Sequence, residues 1–305
     1  MSTQEFTTPV LLLIFNRPET TREVFEKIKE LKPKYLFISA DGPRGEIKND
    51  FETCRETREI VSSVDWKCEI KTRFNDNNLG CKIGVSSGIT WFFEHVNEGI
   101  ILEDDCVPDI SFFYFCKELL ERYRNDNRIM HISGTNFQDG IIRGDGSYYF
   151  SRYVYVWGWA TWKRAWELYD VKIQNYNKFI EQDIIKNIFP NKREQLFLHK
   201  NFSQVYTNKK MTWDYQWHYT NIINNGLSIV PNKNLVSNIG FGQEATHTLL
   251  EHHPFANRPV EKMDKVSHPS FMIPNIEADR YTLNKYFSPN KFIKLKLWLY
   301  QLLKK

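Results

Sequence analysis

The chain has 305 residues, 41% hydrophobic and 15% aromatic; that is enough to bury a sizeable core and excludes a disordered or fibrous protein. Its net charge of +4 sits in the tail: removing the five lysines of residues 291–305 from 41 basic side chains leaves 36 against 37 acids, which, with no Arg-rich stripe or zinc-finger spacing, excludes a nucleic-acid groove. The apolar run VLLLIF (10–15) is too short to span a bilayer, no stretch reads as a secretory signal, and Cys54, Cys68, Cys81, Cys106 and Cys116 form no CxxC pair, so a cytoplasmic location with reduced thiols is expected.

PVLLLIFN (9–16) is a continuous apolar run suited to a strand buried on both faces, and RPETTREVFEKIKEL (17–31) follows with helical spacing. KYLFISADG (34–42) predicts a second strand ending in Asp-Gly, followed by a helix over 48–63. A third strand, CEIKTRF (68–74), precedes a helix over 78–96 whose Gly80, Gly84 and Gly88 suit close approach to a sheet. GIILEDD supplies a fourth strand and 111–126 an amphipathic helix. Such alternation predicts an α/β fold with a mostly parallel central sheet and helices on both faces. Beyond residue 136 the pattern turns aromatic and irregular, with helical stretches near 178–206 and over MTWDYQWHYTNIINNG. No internal repeat or low-complexity linker is present. The expected organisation is two halves of one compact domain with a cleft between them, over 1–135 and 136–275, and a basic amphipathic tail over 276–305.

The segment GIILEDDCVPD (99–109) sets Glu103, Asp104 and Asp105 side by side at a strand's carboxyl end, where open parallel sheets bind ligands. Three ionised carboxylates in a partly buried site demand either protonation or a cation. With no His or Cys beside them, the oxygen donors favour Mg²⁺ or Mn²⁺. The plainer reading is that acids here cap the following helix, a task for which Asp109 is better placed. Arg17 also falls at a strand end, and an Arg beside a metal-binding acid suits a diphosphate. Asp41 offers an acceptor for the imide N–H of uracil, or is a turn residue only.

These motifs resemble a GT-A fold glycosyltransferase, specifically the N-acetylglucosaminyltransferase I family, and are also similar to bacterial family-2-type glycosyltransferases. The likeness rests on IFNRPETTREVF, ISADG, ILEDDCVPDISFFYF (101–115), VWGWATWKRAWEL (156–168), TWDYQW (212–217) and VSNIGFGQEATHT (236–248), in that order, across roughly residues 9–250. It implies a Rossmann-like nucleotide-diphospho-sugar transferase fold with Mn²⁺ (or Mg²⁺) on Asp105, ribose on Asp104 and donor sugar on Glu103. Arg17 would meet the phosphates, Asp41 the uracil, and Asp214 would be the catalytic base. His247 stands where many such enzymes have a metal or phosphate ligand, although an exposed loop His is the plainer reading. The WGWATW segment is more aromatic than its counterpart, so donor sugar and acceptor are not inherited.

A carboxylate such as Asp214 beside Trp213 and Trp217 would be partly desolvated and a stronger base, and in-line attack would invert the anomeric centre. Pairing with a neighbouring Lys or capping a turn is the competing role. IGFGQEATHT has the small residues of a closing lid. Trp157, Trp159, Trp162 and Trp166 suit core packing, with one or two rings free to stack on an acceptor sugar. The expected activity is metal-dependent transfer from a UDP-linked or related sugar to a glycan or lipid-linked acceptor in bacterial surface-polysaccharide synthesis. Alternatives are a sugar-nucleotidyltransferase, which would release pyrophosphate, and a non-catalytic carbohydrate-binding module. FIKLKLWLYQLL with its lysines suits either the inner membrane surface, as a peripheral anchor, or packing on the enzyme body.

Overall fold

The computed structural model describes residues 5–241 and 255–288. Residue 247 and the 291–305 tail therefore lie outside the described residues.

Among the described residues ten strands form in chain order: β1 (Val10–Ile14), β2 (Tyr35–Ala40), β3 (Glu69–Phe74), β4 (Glu98–Glu103), β5 (Cys106–Pro108), β6 (Ile129–Ser133), β7 (Tyr148–Ser151), β8 (Trp159–Trp162), β9 (Leu227–Pro231) and β10 (Val236–Asn238). The helices are α1 (Pro18–Leu31), α2 (Asp50–Val61), α3 (Gly80–His95), α4 (Ile110–Arg122), α5 (Lys163–Trp166), α6 (Tyr176–Glu181), α7 (Ile185–Ile188), α8 (Lys192–Tyr206), α9 (Asp214–Ile223) and α10 (Ile276–Thr282); one π-turn, Leu283–Phe287, continues α10. Eight strands make one sheet in the order β3-β2-β1-β4-β8-β6-β9-β7, and β10 pairs with β5 in a two-stranded ribbon. Six strands of the large sheet run one way; β8 and β7 run against their neighbours. The expected α/β class, with a mostly parallel central sheet and helices packed on it, is what the chain adopts.

The apolar runs of β1, β2 and β4 serve two cores at once, because successive side chains point to opposite faces. Val10, Leu12, Leu36, Ile38, Ile100 and Leu102 pack beneath α1 and α4. Leu11, Leu13, Phe37 and Ile101 pack under α3 with Ile89, Phe92 and Phe93. Each fully buried Leu, Ile or Phe contributes roughly 1.5–3 kcal/mol of transfer free energy, so neither face tolerates a polar substitution. A third, aromatic core of Phe137, Tyr149, Tyr153, Tyr155, Phe179, Phe202 and Tyr219 gathers the irregular second half.

The glycines of α3 do what their spacing suggests. A Cβ at Gly88 would lie 2.7 Å from Ser39 Oγ and 3.0 Å from Leu13 Cδ2, and one at Gly84 would lie 2.9 Å from Asp41 Oδ2. The helix thus lies closer to the sheet than any larger residue permits. Among the described residues no helix is long and apolar enough to cross a membrane.

Candidate functional site

β1 and β4 are adjacent and parallel, with Leu13 opposite Glu103, so both chains leave the sheet at the same edge. Past β1, Arg17 becomes the N-cap of α1 because Pro18 starts the helix with a preset φ and no N–H to satisfy. Past β4, the chain turns through Asp104 and Asp105 into β5. Arg17 spans the gap: its Nη1 donates to Asp105 Oδ2 at 2.9 Å and its Nη2 to Asp104 Oδ1. Burial disfavours the guanidinium's charge, but the two carboxylates outweigh it and raise its pKa.

The three acids occupy unlike settings. Asp104 has only 3% of its side chain exposed; besides Arg17 it accepts the Phe15 N–H at 3.2 Å. Burial raises its pKa, with Arg17 pulling the other way. Asp105 is partly exposed; its Oδ1 accepts from Asn238 Nδ2 at 3.1 Å, and its backbone C=O accepts from Ile239 N–H. Glu103 is half-buried, and among the described residues it forms no ion pair. Burial pushes its pKa well above the usual carboxylate range; Asp105, Asp104 and Asp214 add to the effect, and Arg17 opposes it.

Asp214, the first residue of α9, reaches this cluster electrostatically. Its charge acts on Glu103 and on Cys81, whose thiol is raised chiefly by burial and then by Glu103 and Asp214. Thr212 Oγ1 donates to Asp214 Oδ1, and the carboxylate faces the helix N-terminus, where the dipole favours it. Among the described residues it forms no ion pair, so the Lys-paired role is not the one adopted. Trp213 and Trp217 flank it, both fully buried and packed against Trp159.

Asp41 is committed elsewhere. Its carboxylate accepts from Gly42 N–H (3.0 Å), Asn75 Nδ2 (3.1 Å), Asn78 Nδ2 (3.1 Å), Leu79 N–H (2.9 Å) and Gly80 N–H (3.0 Å). Five donors saturate the roughly four lone-pair sites of a carboxylate and leave none for a uracil N–H. The side chain instead fixes the loop before α3 and satisfies that helix's first N–H groups. Asp109 caps α4 as expected, accepting from Ser111 N–H at 2.8 Å.

Two contributors were not singled out as site residues from the sequence. Asn238 holds Asp105, and Gly240 sits on it: a Cβ at Gly240 would lie 2.1 Å from Asp105 Oδ2. Their signal was the small-residue run VSNIGFG, which periodicity alone assigns to a loop. Of the tryptophans, Trp159, Trp162 and Trp166 are core, whereas Trp157 is only partly buried. It precedes β8, whose Trp159 pairs with Ile101 of β4, so it stands at the acidic edge; Phe241 and Phe255 pack edge-on to it at 5.7 and 5.6 Å.

Three carboxylates against one guanidinium leave an excess of negative charge that a divalent cation would offset. Among the described residues no three His, Cys, Asp or Glu side chains converge tightly enough to cage an ion unaided. Mg²⁺-type sites accept that arrangement, since they use one or two carboxylates completed by water and substrate phosphates.

No family model matches the chain, and no curated protein matches it. Solved structures are similar over about half its length. A mannosyltransferase from Pyrobaculum calidifontis, in complex with GDP-Man and Mn²⁺, is 11% identical over 53% of this chain and 46% of its own (TM-score 0.35). A cytidylyltransferase from Leptospira borgpetersenii is 14% identical over 53% and 63% (TM-score 0.33). A UDP-glucose pyrophosphorylase bound to UDP-glucose is 10% identical over 52% and 78% (TM-score 0.34). The chain thus matches less than two thirds of the length of the first two, and likeness this slight carries nothing about activity.

Proposed function

We propose that the chain is a metal-dependent, inverting glycosyltransferase that moves a hexose from a nucleoside-diphosphate sugar, UDP-linked by preference, to a glycan or lipid-linked acceptor in bacterial surface-polysaccharide assembly. One observation carries the reading: Arg17, Glu103 and Asp105 meet where two adjacent parallel strands end, with Asp214 facing them and negative charge in excess. A diphosphate would be repelled by such a site on its own and drawn to it with a cation in place. Asp105, the accessible acid of the pair on Arg17, would hold Mn²⁺ or Mg²⁺, which when bound supplies neutralisation for the nucleoside-diphosphate leaving group.

The chain's own residues then divide the work. Arg17, kept charged by its carboxylates, places a fixed positive group at the β1 end where leaving-group charge develops. Asp104 holds Arg17 and the Phe15 backbone in place, a positioning role rather than a ribose contact. Glu103, half-buried and short of partners, accepts donor-sugar hydroxyls. Asp214, with Thr212 as its hydroxyl donor, takes the acceptor's proton from the opposite face. Trp157 offers an aromatic platform at the acidic edge. Asp41 shapes the loop before α3, so discrimination of the base falls to that loop's exposed groups rather than to its carboxylate.

The test is calorimetric titration of UDP, GDP and CDP into the full chain with Mn²⁺ and then with chelator, for wild type, Asp105→Ala and Asp214→Asn. Metal-dependent binding of one nucleotide, lost in Asp105→Ala and retained in Asp214→Asn while transfer disappears, supports the assignment. Equal loss of binding in both variants removes Asp214 as the base. Pyrophosphate release from a nucleoside triphosphate and a sugar phosphate would make the chain a nucleotidyltransferase, and binding of no nucleotide would leave a carbohydrate-binding module.

A further inference from the structure

Lys82 lies in the first turn of α3 with 7% of its surface exposed, although a charged side chain is rarely so buried without a counter-charge. Its ammonium donates to Asn208 Oδ1 at 2.9 Å, and among the described residues no carboxylate comes within ion-pair distance of it. Burial lowers its pKa; Asp170 opposes that and Lys172 adds to it. Asp170 is itself engaged, accepting from Lys172 N–H at 2.8 Å and Gln174 N–H at 2.7 Å. Two ammonium groups thus face one carboxylate already in use.

Lys82 forms part of the wall of a cavity of about 570 Å³, with Ile83, Val171, Lys172, Gln174, Tyr206 and Asn208. That volume falls within the roughly 300–1,000 Å³ of small-molecule sites. Three separate segments tie the cavity to Asp214. Cys81, next to Lys82, feels the charges of Glu103 and Asp214. Tyr169, next to Asp170, donates to the backbone C=O of Trp213 at 3.2 Å. Asn208 leads within six residues to Asp214, passing Lys210, whose pKa is lowered by burial and held up by Asp214. Segments that line the cavity thus run on to Asp214, the proposed base, and through Cys81 to Glu103.

We propose that this cavity is an acceptor subsite for an anionic group, a carboxylate or phosphate on the acceptor saccharide that seats against Lys82 Nζ and Lys172. The proposal rests on the glycosyltransferase reading for the word acceptor, but the anion site itself stands on the buried, uncompensated lysine. A charge-assisted hydrogen bond from a desolvated ammonium is stronger than a neutral one, and the Asn208 amide leaves two of the three N–H donors of Lys82 available.

Binding of glucuronate, glucose 1-phosphate, inorganic phosphate and neutral glucose to the full chain tests it, by calorimetry on wild type, Lys82→Met and Lys172→Met. Lys172 is exposed, so its variant keeps the fold even where Lys82→Met does not. Expected is anion binding at least ten-fold tighter than that of glucose, weakened ten-fold or more in Lys82→Met and several-fold in Lys172→Met, with nucleotide binding unchanged. Preference for glucuronate identifies an acidic-sugar acceptor; preference for glucose 1-phosphate and free phosphate identifies a phosphate-linked one. Anion binding indifferent to both lysines, or no tighter than that of glucose, overturns the proposal. Nucleotide binding without anion binding refutes this subsite alone, whereas Lys82-dependent anion binding without nucleotide binding refutes the glycosyltransferase reading and leaves the anion site.

Discussion

Asp279 of α10 is fully buried, accepting from Ser151 Oγ at 2.5 Å and Arg152 N–H at 3.1 Å, and burial pushes its pKa from 3.8 to about 7. The groups facing it are Ser151, the Arg152 N–H and, at longer range, the charges of Glu194 and Arg152. Below pH 4 the carboxyl is protonated in folded and unfolded chains alike. Between 4 and 7 the folded chain holds a proton that the unfolded chain releases, so stability falls as pH rises; above 7 the loss is complete, roughly 4 kcal/mol. Between pH 4.5 and 8.5 this group accordingly removes roughly 3 kcal/mol. Asn at 279 has no such titration, but its carbonyl accepts only one of the two donors, and the orphaned one costs about 1–3 kcal/mol at every pH. Urea unfolding of wild type and Asp279→Asn across that range should give stability curves that cross, the variant weaker at pH 4.5 and stronger at 8.5. Parallel curves would refute the reasoning.

Asp41→Ala should destabilise the fold by roughly 2–3 kcal/mol in urea unfolding, since it orphans the first N–H groups of α3 along with two Asn side chains. Unchanged stability with lost discrimination between UDP and CDP would instead restore Asp41 to the uracil. Gly240→Ala places a methyl 2.1 Å from Asp105 Oδ2, whose carboxylate is held by Arg17 and Asn238. Metal-dependent nucleotide affinity should drop ten-fold or more with modest loss of stability, and an unaltered titration isotherm would show that Asp105 is not the ligand.

In the first half β1, β2 and β4 were legible as apolar runs between turn signals and β3 as the short, largely exposed stretch CEIKTRF, whereas the short β5 (CVP) and β6 (IMHIS) were not anticipated. In the second half β7 (YYFS) and β8 (WATW) are four residues long and buried throughout, so no alternation betrays them. Their partners are remote in sequence, as with Phe150 opposite Ile229. The helical stretch predicted near 178–206 is three helices, interrupted where Asp183 takes φ +48° and again around Pro190. At the site, residue types pointed to the acidic edge, but partners decided the roles. Asp41 finds the Leu79 and Gly80 N–H groups 38 and 39 positions away, and Asp104 finds Arg17 at 87. Lys82 left a trace in GCKIGVSSG, a lone charge among small and apolar residues, without indicating which cavity it faces.

The reversed strand β8 lies between β4 and β6, both of which precede it in the chain. During synthesis β4 therefore keeps an open edge, unpaired N–H and C=O groups on a strand whose centre, 99–102, is apolar and buried, until residue 162 has left the ribosome. Such an edge is a template for pairing with other chains. The segment 1–135 is thus not a free-standing unit: it carries the acids and Arg17 but not the strand that closes the sheet beside them, and expressed alone it should aggregate rather than fold. Any minimal version of this protein has to run past Trp162.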